Sequence, residues 1–184
     1  EFFMGLLWAL TGARFHSIKG VSAEHVQGSK YENEQITVVE LWRDKVLARR
    51  GRVIALTCNC QIVLEGPNNK FCPVHNIPSV SQLEERMNEK GWETIKRKLK
   101  VKSHEIRVRL AYEIADIINN KIGYRDNRLK EAANITMGWT LLSPMLKHYC
   151  RFKLQQVVAK NAFCHKHLWR TLVVTQNVMR GKLH

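Results

Sequence analysis

Two groups of side chains have the types and spacings that chemistry requires. The first is Cys58-Asn59-Cys60 followed, after eleven intervening residues, by Cys72-Pro73-Val74-His75. Three thiolates and an imidazole form a tetrahedral zinc set, in which the Cys-x-x-His half has familiar ligand spacing and the Cys-x-Cys half does not. A loop too short for its own core gains order from a metal; half-burial of Cys58 and Cys60 on a strand is the competing reading. The second group is His104-Glu105-Ile106-Arg107. Three positions on a helix set two side chains about 60° apart around the axis, so an imidazole and a guanidinium can face one anion. The planar fork of arginine matches phosphate oxygens in a way that lysine does not. Cys164-His165-Lys166-His167 is a weaker signal and reads as ordinary helix residues.

The whole chain favours an anionic partner. Thirty basic against 16 acidic residues leave a formal charge of +14 on 184 residues, a balance suited to nucleic acid but shared by membrane-surface proteins. No apolar run reaches the length of a membrane span, and Phe2 to Leu10 is too short for one and lacks a basic leader. A soluble protein without a membrane partner is expected. Five cysteines, an odd number in a chain large enough to form a core without staples, point to reduced thiols in an intracellular compartment. The opening Glu1-Phe2-Phe3 reads as the start of a fragment.

The elements that must hold these groups follow from periodicity. Residues 2–13, dense in Phe, Met, Leu and Trp and ending near Gly12, read as a short buried helix, with Arg14 directly after it. Ile36, Val38 and Leu41 in one block, and Val53, Ile54 and Leu56 in another, predict two strands joined by a basic hairpin around Arg43 to Arg52. Residues 58–78 form a loop or small insertion, with a turn at Gly66-Pro67-Asn68-Asn69. Ser81 begins a charged helical stretch containing Leu83, Met87 and Trp92, and Lys96 to Lys102 is a basic run that reads as a solvated face. Ser103 caps a helix over 104–120 whose Ile106, Leu110, Ile114, Ile117 and Ile118 form one stripe. A polar, partly helical segment covers about 121–137. Ser143-Pro144 starts a short helix carrying Tyr149, and 152–180 is basic with helical period. The sum is an α+β domain, mainly helical, with a small antiparallel sheet.

In order and spacing, several of these pieces resemble the catalytic domain of the tyrosine recombinases, the phage-integrase-like enzymes. Leu10-Thr11-Gly12-Ala13-Arg14 resembles the turn that delivers the family's first catalytic arginine, and the hairpin with Arg43-Asp44-Lys45 resembles the one that presents its lysine. His104-x-x-Arg107 matches its His-x-x-Arg box. Met137-Gly138-Trp139, with Tyr149 ten positions on, resembles its terminal Gly-His/Trp and nucleophilic tyrosine. The resemblance covers roughly residues 3 to 150 and implies a divergent member, as from a eukaryotic or viral mobile element. It departs from the family at Ser17, where an acid is usual, and in the long span from Arg107 to Trp139.

The resemblance implies cleavage of double-stranded DNA without a metal. Arg14 and Arg107 would hold the non-bridging oxygens of the phosphorane-like state, Trp139 would donate its indole N–H, His104 would assist the nucleophile, Lys45 would protonate the leaving 5′ oxygen, and Tyr149 would form a 3′-phosphotyrosyl bond. No cofactor is required for this; zinc at Cys58, Cys60, Cys72 and His75 would be structural. Residues 1–151 would then be the catalytic domain, with 58–78 its Cys/His-rich insertion and 152–184 a basic helix exchanged between protomers of a DNA-bound tetramer. An N-terminal DNA-clamping domain would lie outside this sequence. The location would be the nucleus for a eukaryotic or viral protein and the cytoplasm for a prokaryotic one. The rivals are a type IB topoisomerase, which uses the same set, and a catalytically inactive, zinc-stabilised DNA-binding protein.

Overall fold

The computed structural model describes residues 1–41, 52–57, 72, 74–117, 127–140, 142–145, 148 and 174–175. The chain runs through α1 (Phe2–Thr11), α2 (Phe15–Ile18), a 3-10 turn (Ala23–His25), β1 (Val26–Tyr31), β2 (Glu34–Leu41), β3 (Arg52–Thr57), α3 (Val80–Arg86), α4 (Glu89–Leu99), α5 (Ser103–Ile117) and α6 (Asn127–Thr136). Among the described residues this is an α+β architecture, mostly helical, with six helices and one antiparallel sheet ordered β1-β2-β3.

The two expected strands are β2 and β3, paired from Ile36↔Thr57 to Leu41↔Arg52. The connection between them, with Lys45, lies outside the described residues. The sheet has a further strand that the sequence pattern did not announce. β1 pairs with β2 through a two-residue turn at Glu32 and Asn33, whose φ angles of 47° and 65° are those of a type I′ hairpin. A Glu-Asn turn lacks the glycine that usually marks such a hairpin, and β1 is mostly exposed apart from Val26.

Strand alternation sends the two faces of β2 to different partners. Val39 and Leu41 join Ile54 and Leu56 in the main core with Leu7, Trp8 and Trp92. Ile36 and Val38 face the other way and pack with Ala55 and Val174. Thr175 Oγ1 accepts from the Ala55 N–H at 3.0 Å, so this stretch of the C-terminal region lies against the chain's own β3.

The charged helical stretch expected from Ser81 is two helices. α3 is capped by Ser79, whose hydroxyl accepts from the Gln82 N–H at 3.4 Å. The chain breaks at Met87, and Asn88 caps α4 by accepting from the Gly91 N–H at 2.9 Å. Each asparagine or serine cap satisfies a backbone donor that the first helical turn leaves open. α5 begins at Ser103 itself, and its stripe residues Leu110 and Ile114 are buried as expected. No helix among the described residues is long and apolar enough to cross a membrane.

Candidate active site

Two turns and one arginine define the site. The first turn ends α1. Gly12 adopts the left-handed conformation (φ 54°) and returns its N–H to Trp8 O at 3.0 Å. A Cβ at this position would fall 2.5 Å from Leu110 Cδ2, so only glycine combines the required φ with this approach of α1 to α5. The Trp8 indole then donates to Ala13 O at 2.9 Å, and its ring lies 5.2 Å from that of Phe15. Arg14 is thereby fixed between two anchored neighbours. Its carbonyl accepts from the Ser17 and Ile18 N–H groups, both at 2.9 Å, while its side chain is exposed and has no acceptor among the described residues. Ser17 is buried.

The second turn ends α6 and consists of the Met137-Gly138-Trp139 motif. Gly138 has φ 67°, its N–H donates to Ile135 O at 2.9 Å, and the Trp139 N–H donates to Asn134 O at 2.7 Å. This pair of bonds is a Schellman cap. It serves the carbonyls of Asn134 and Ile135, leaving those of Thr136 and Met137 at the negative end of the helix to find donors elsewhere.

Both are met by arginine. Arg107 NH2 donates to Met137 O, and Arg107 NH1 donates to Gly12 O at 3.0 Å. Its guanidinium carbon stands 5.5 Å from the centre of the Trp139 ring. Arg107 is 3% exposed and Trp139 8%. One side chain of α5 thus fastens the turn carrying Arg14 to the turn carrying Trp139. Arg52, fully buried at the start of β3, donates through NH1 to Thr136 O and ties the same helix end to the sheet.

The sequence-predicted residues are therefore distributed as follows. Arg14, Arg107 and Trp139 belong to one arrangement of two turns, and His104 lies one helical turn before Arg107, exposed at the start of α5. The expectation that the Arg107 fork aims wholly at a phosphate meets a different arrangement, since both terminal nitrogens donate to backbone carbonyls. Lys45 and Tyr149 lie outside the described residues. The segment before Tyr149 is held near α6: Asn134 Nδ2 donates to Ser143 O at 3.4 Å, Ser143 Oγ accepts from the Met145 N–H at 3.3 Å, and the His148 N–H donates to Pro144 O at 3.3 Å. The last of these is a helical i→i−4 bond, as Ser143-Pro144 led one to expect.

Of the candidate zinc ligands, Cys58 and Cys60 lie outside the described residues; Cys72 is buried and His75 is exposed. Among the described residues no three His, Cys, Asp or Glu side chains gather as a metal site. Arg52 is the site residue that sequence reasoning missed. The left-handed Gly138 signals orphaned carbonyls, but nothing in the strand Arg52-Val53-Ile54 marks that arginine as their donor. Comparison with family models, curated proteins and solved structures gave no match to this chain.

Proposed function

We propose that this chain is the catalytic domain of a DNA strand-breaking and rejoining enzyme of the tyrosine recombinase kind. The observation that carries the reading is Arg107: a box matched on its own spacing bonds to the Gly12 turn, 95 residues away, and to the Met137 turn, 30 residues away. The three sequence motifs that support the resemblance and fall among the described residues thus meet at one guanidinium.

In this reading Arg14, exposed beside the junction, takes the phosphate oxygens directly. Arg107 adds positive charge from beneath and keeps both turns in register, where a water-poor setting strengthens its field. His104, on the outer side of α5, assists the nucleophile. A free tyrosine has a pKa of about 10, so attack at neutral pH needs that help or a cationic setting. The Tyr149 oxygen bonds to phosphorus, the 5′ oxygen leaves with a proton from Lys45, and the 3′-phosphotyrosyl ester conserves the bond for rejoining. Attack by a 5′-hydroxyl then restores the phosphodiester and frees the tyrosine. Trp139, at the edge of the junction, supplies an indole donor. Zinc on Cys58, Cys60, Cys72 and His75 would order the 58–78 segment without entering the chemistry. Double-stranded DNA is the partner, and strand exchange between two sites calls for a tetramer on DNA.

The test is trapping. A nicked suicide duplex should give a covalent adduct on a denaturing gel with the wild-type chain and none with Tyr149→Phe. DNA binding without any Tyr149-dependent adduct would sink the enzyme reading and leave a DNA-binding protein. An adduct that rejoins only its own strand, and never a second labelled duplex, would identify a topoisomerase-type reaction.

A further inference from the structure

The end of α4 carries a concentration of charge that the strand-breaking reaction does not use. Residues 96–102 hold Lys96, Arg97, Lys98, Lys100 and Lys102 with no acidic residue between them. Attraction to the negative end of a helix accounts for Lys96, Arg97 and Lys98, which sit in the last turn. It does not account for Lys100, which leaves the helix in the left-handed conformation (φ 52°), or for Lys102 beyond it.

The cations divide into two sides. Lys98 Nζ lies 2.5 Å from Glu1 Oε2, and this ammonium holds the Glu1 carboxyl below its usual range. Around α4, Lys96, Arg97 and Lys100 fall within an arc of about 100°, and Lys98 projects roughly a further 100° beyond Arg97. Lys96 Nζ stands 4.3 Å from the centre of the Phe15 ring, the residue after Arg14, which brings this side of α4 up to the first turn of the candidate site. Arg97, Lys100 and Lys102 are exposed, and none of their side chains has an ion-pair or hydrogen-bond partner among the described residues. Their acidic neighbours in sequence are Glu93, exposed one turn before Arg97, and Glu105, whose carboxylate is engaged by the Lys102 backbone N–H at 3.0 Å. The chain then passes from Lys102 through Ser103 to His104.

We infer that Arg14, Lys96, Arg97, Lys100 and Lys102 form one track for the phosphates of a DNA duplex, leading into the candidate site between the start of α2 and the start of α5. The choice of DNA rests on the proposed function. The track itself stands on placement: on one side Arg97, Lys100 and Lys102, without ion-pair partners among the described residues and joined to the Arg14 turn through the Lys96–Phe15 contact, and on the other a lysine neutralised by Glu1. It contributes affinity and orientation without reading sequence.

The experiment is equilibrium binding to a labelled duplex of about 30 bp over a salt series, where each lost phosphate contact lowers the slope of log K against log salt by about 0.9. The triple variant Arg97→Gln, Lys100→Asn, Lys102→Gln should flatten the slope by about 2.7 and weaken binding at least tenfold near 0.15 M salt. Arg97→Gln alone, for use if the triple variant melts early, should flatten it by about 0.9. Lys98→Gln should leave it unchanged. An unchanged slope in the folded variants, an equal loss in Lys98→Gln, or a loss seen only on vesicles of anionic lipid would overturn the track. Failure of the enzyme reading looks different: steep, track-dependent binding with no Tyr149 adduct.

Discussion

Arg107 and Arg14 are both read from sequence as phosphate ligands, yet they occupy opposite environments. Arg107 is buried, with NH1 and NH2 on the carbonyls of Gly12 and Met137, and Arg52 joins it by taking the neighbouring carbonyl of Thr136. Arg14 is exposed, and its guanidinium has no acceptor among the described residues. A buried guanidinium must be matched by acceptors, because desolvating it otherwise costs several kcal/mol; an exposed one is hydrated and remains available to an incoming anion. The lesson is a division of labour: the interior arginines make the geometry, and in the proposed function the surface cations meet the DNA. Substitutions should therefore separate stability from activity according to which group they touch.

The largest effect is expected at Arg107. Arg107→Ala removes a charge-assisted bond from each of two buried carbonyls, each worth about 1.5–3 kcal/mol, and leaves a void beside Trp139. Urea unfolding should show a loss of about 3–5 kcal/mol, with Arg107→Lys retaining part of it because one ammonium can still reach one carbonyl. A loss below about 1 kcal/mol would mean that the two turns are held without this side chain, and the division between interior and surface arginines would fall with it.

Arg52 comes next. Arg52→Met keeps much of the volume and removes the donor to Thr136 O, a loss of about 2 kcal/mol on the same scale. Replacing a buried charge by an apolar side chain is sometimes neutral, so the sign of this change is informative. Destabilisation together with slower trapping of the DNA adduct at saturating DNA would place Arg52 among the residues that position the Trp139 turn. Full stability would reduce it to a charge that the fold tolerates.

These two arginines also show where sequence reasoning reaches its limit. The helix over Phe2–Thr11, the β2–β3 pair and the α5 stripe were legible because burial of one face imposes a period on the residues themselves. Gly12 was legible as punctuation, since left-handed backbone favours glycine, whereas Gly138 was read only as part of the Met137-Gly138-Trp139 motif and not as the end of a helix. β1 was not, because a mostly exposed strand with a Glu-Asn turn draws its order from its neighbour β2. The break between α3 and α4 was hidden by apolar spacing that runs through it from Leu83 to Trp92. Arg52 was hidden most completely: its acceptor lies 84 residues away, and an arginine beside a basic hairpin looks like one more surface cation. The same holds for Arg107, whose place in a box was readable from spacing and whose burial was not.

The smallest effect on stability, and the sharpest contrast with Arg107, is expected at Arg14. Its side chain contributes no hydrogen bond among the described residues, while the turn beneath it is fixed by Trp8, Gly12 and the backbone bonds of α2. Arg14→Ala should therefore change unfolding free energy by no more than about 0.5 kcal/mol, as exposed substitutions usually do. Formation of the Tyr149–DNA adduct should nevertheless slow by about 10²- to 10³-fold, the usual effect of losing one donor to a transition-state oxyanion. Arg14→Lys would restore charge but not the fork, so a rate closer to the alanine variant than to wild type is expected. A stable Arg14→Ala protein that forms adduct at the wild-type rate would leave the exposed arginine as a binding contact only, and the phosphate would have to be held from elsewhere in the junction.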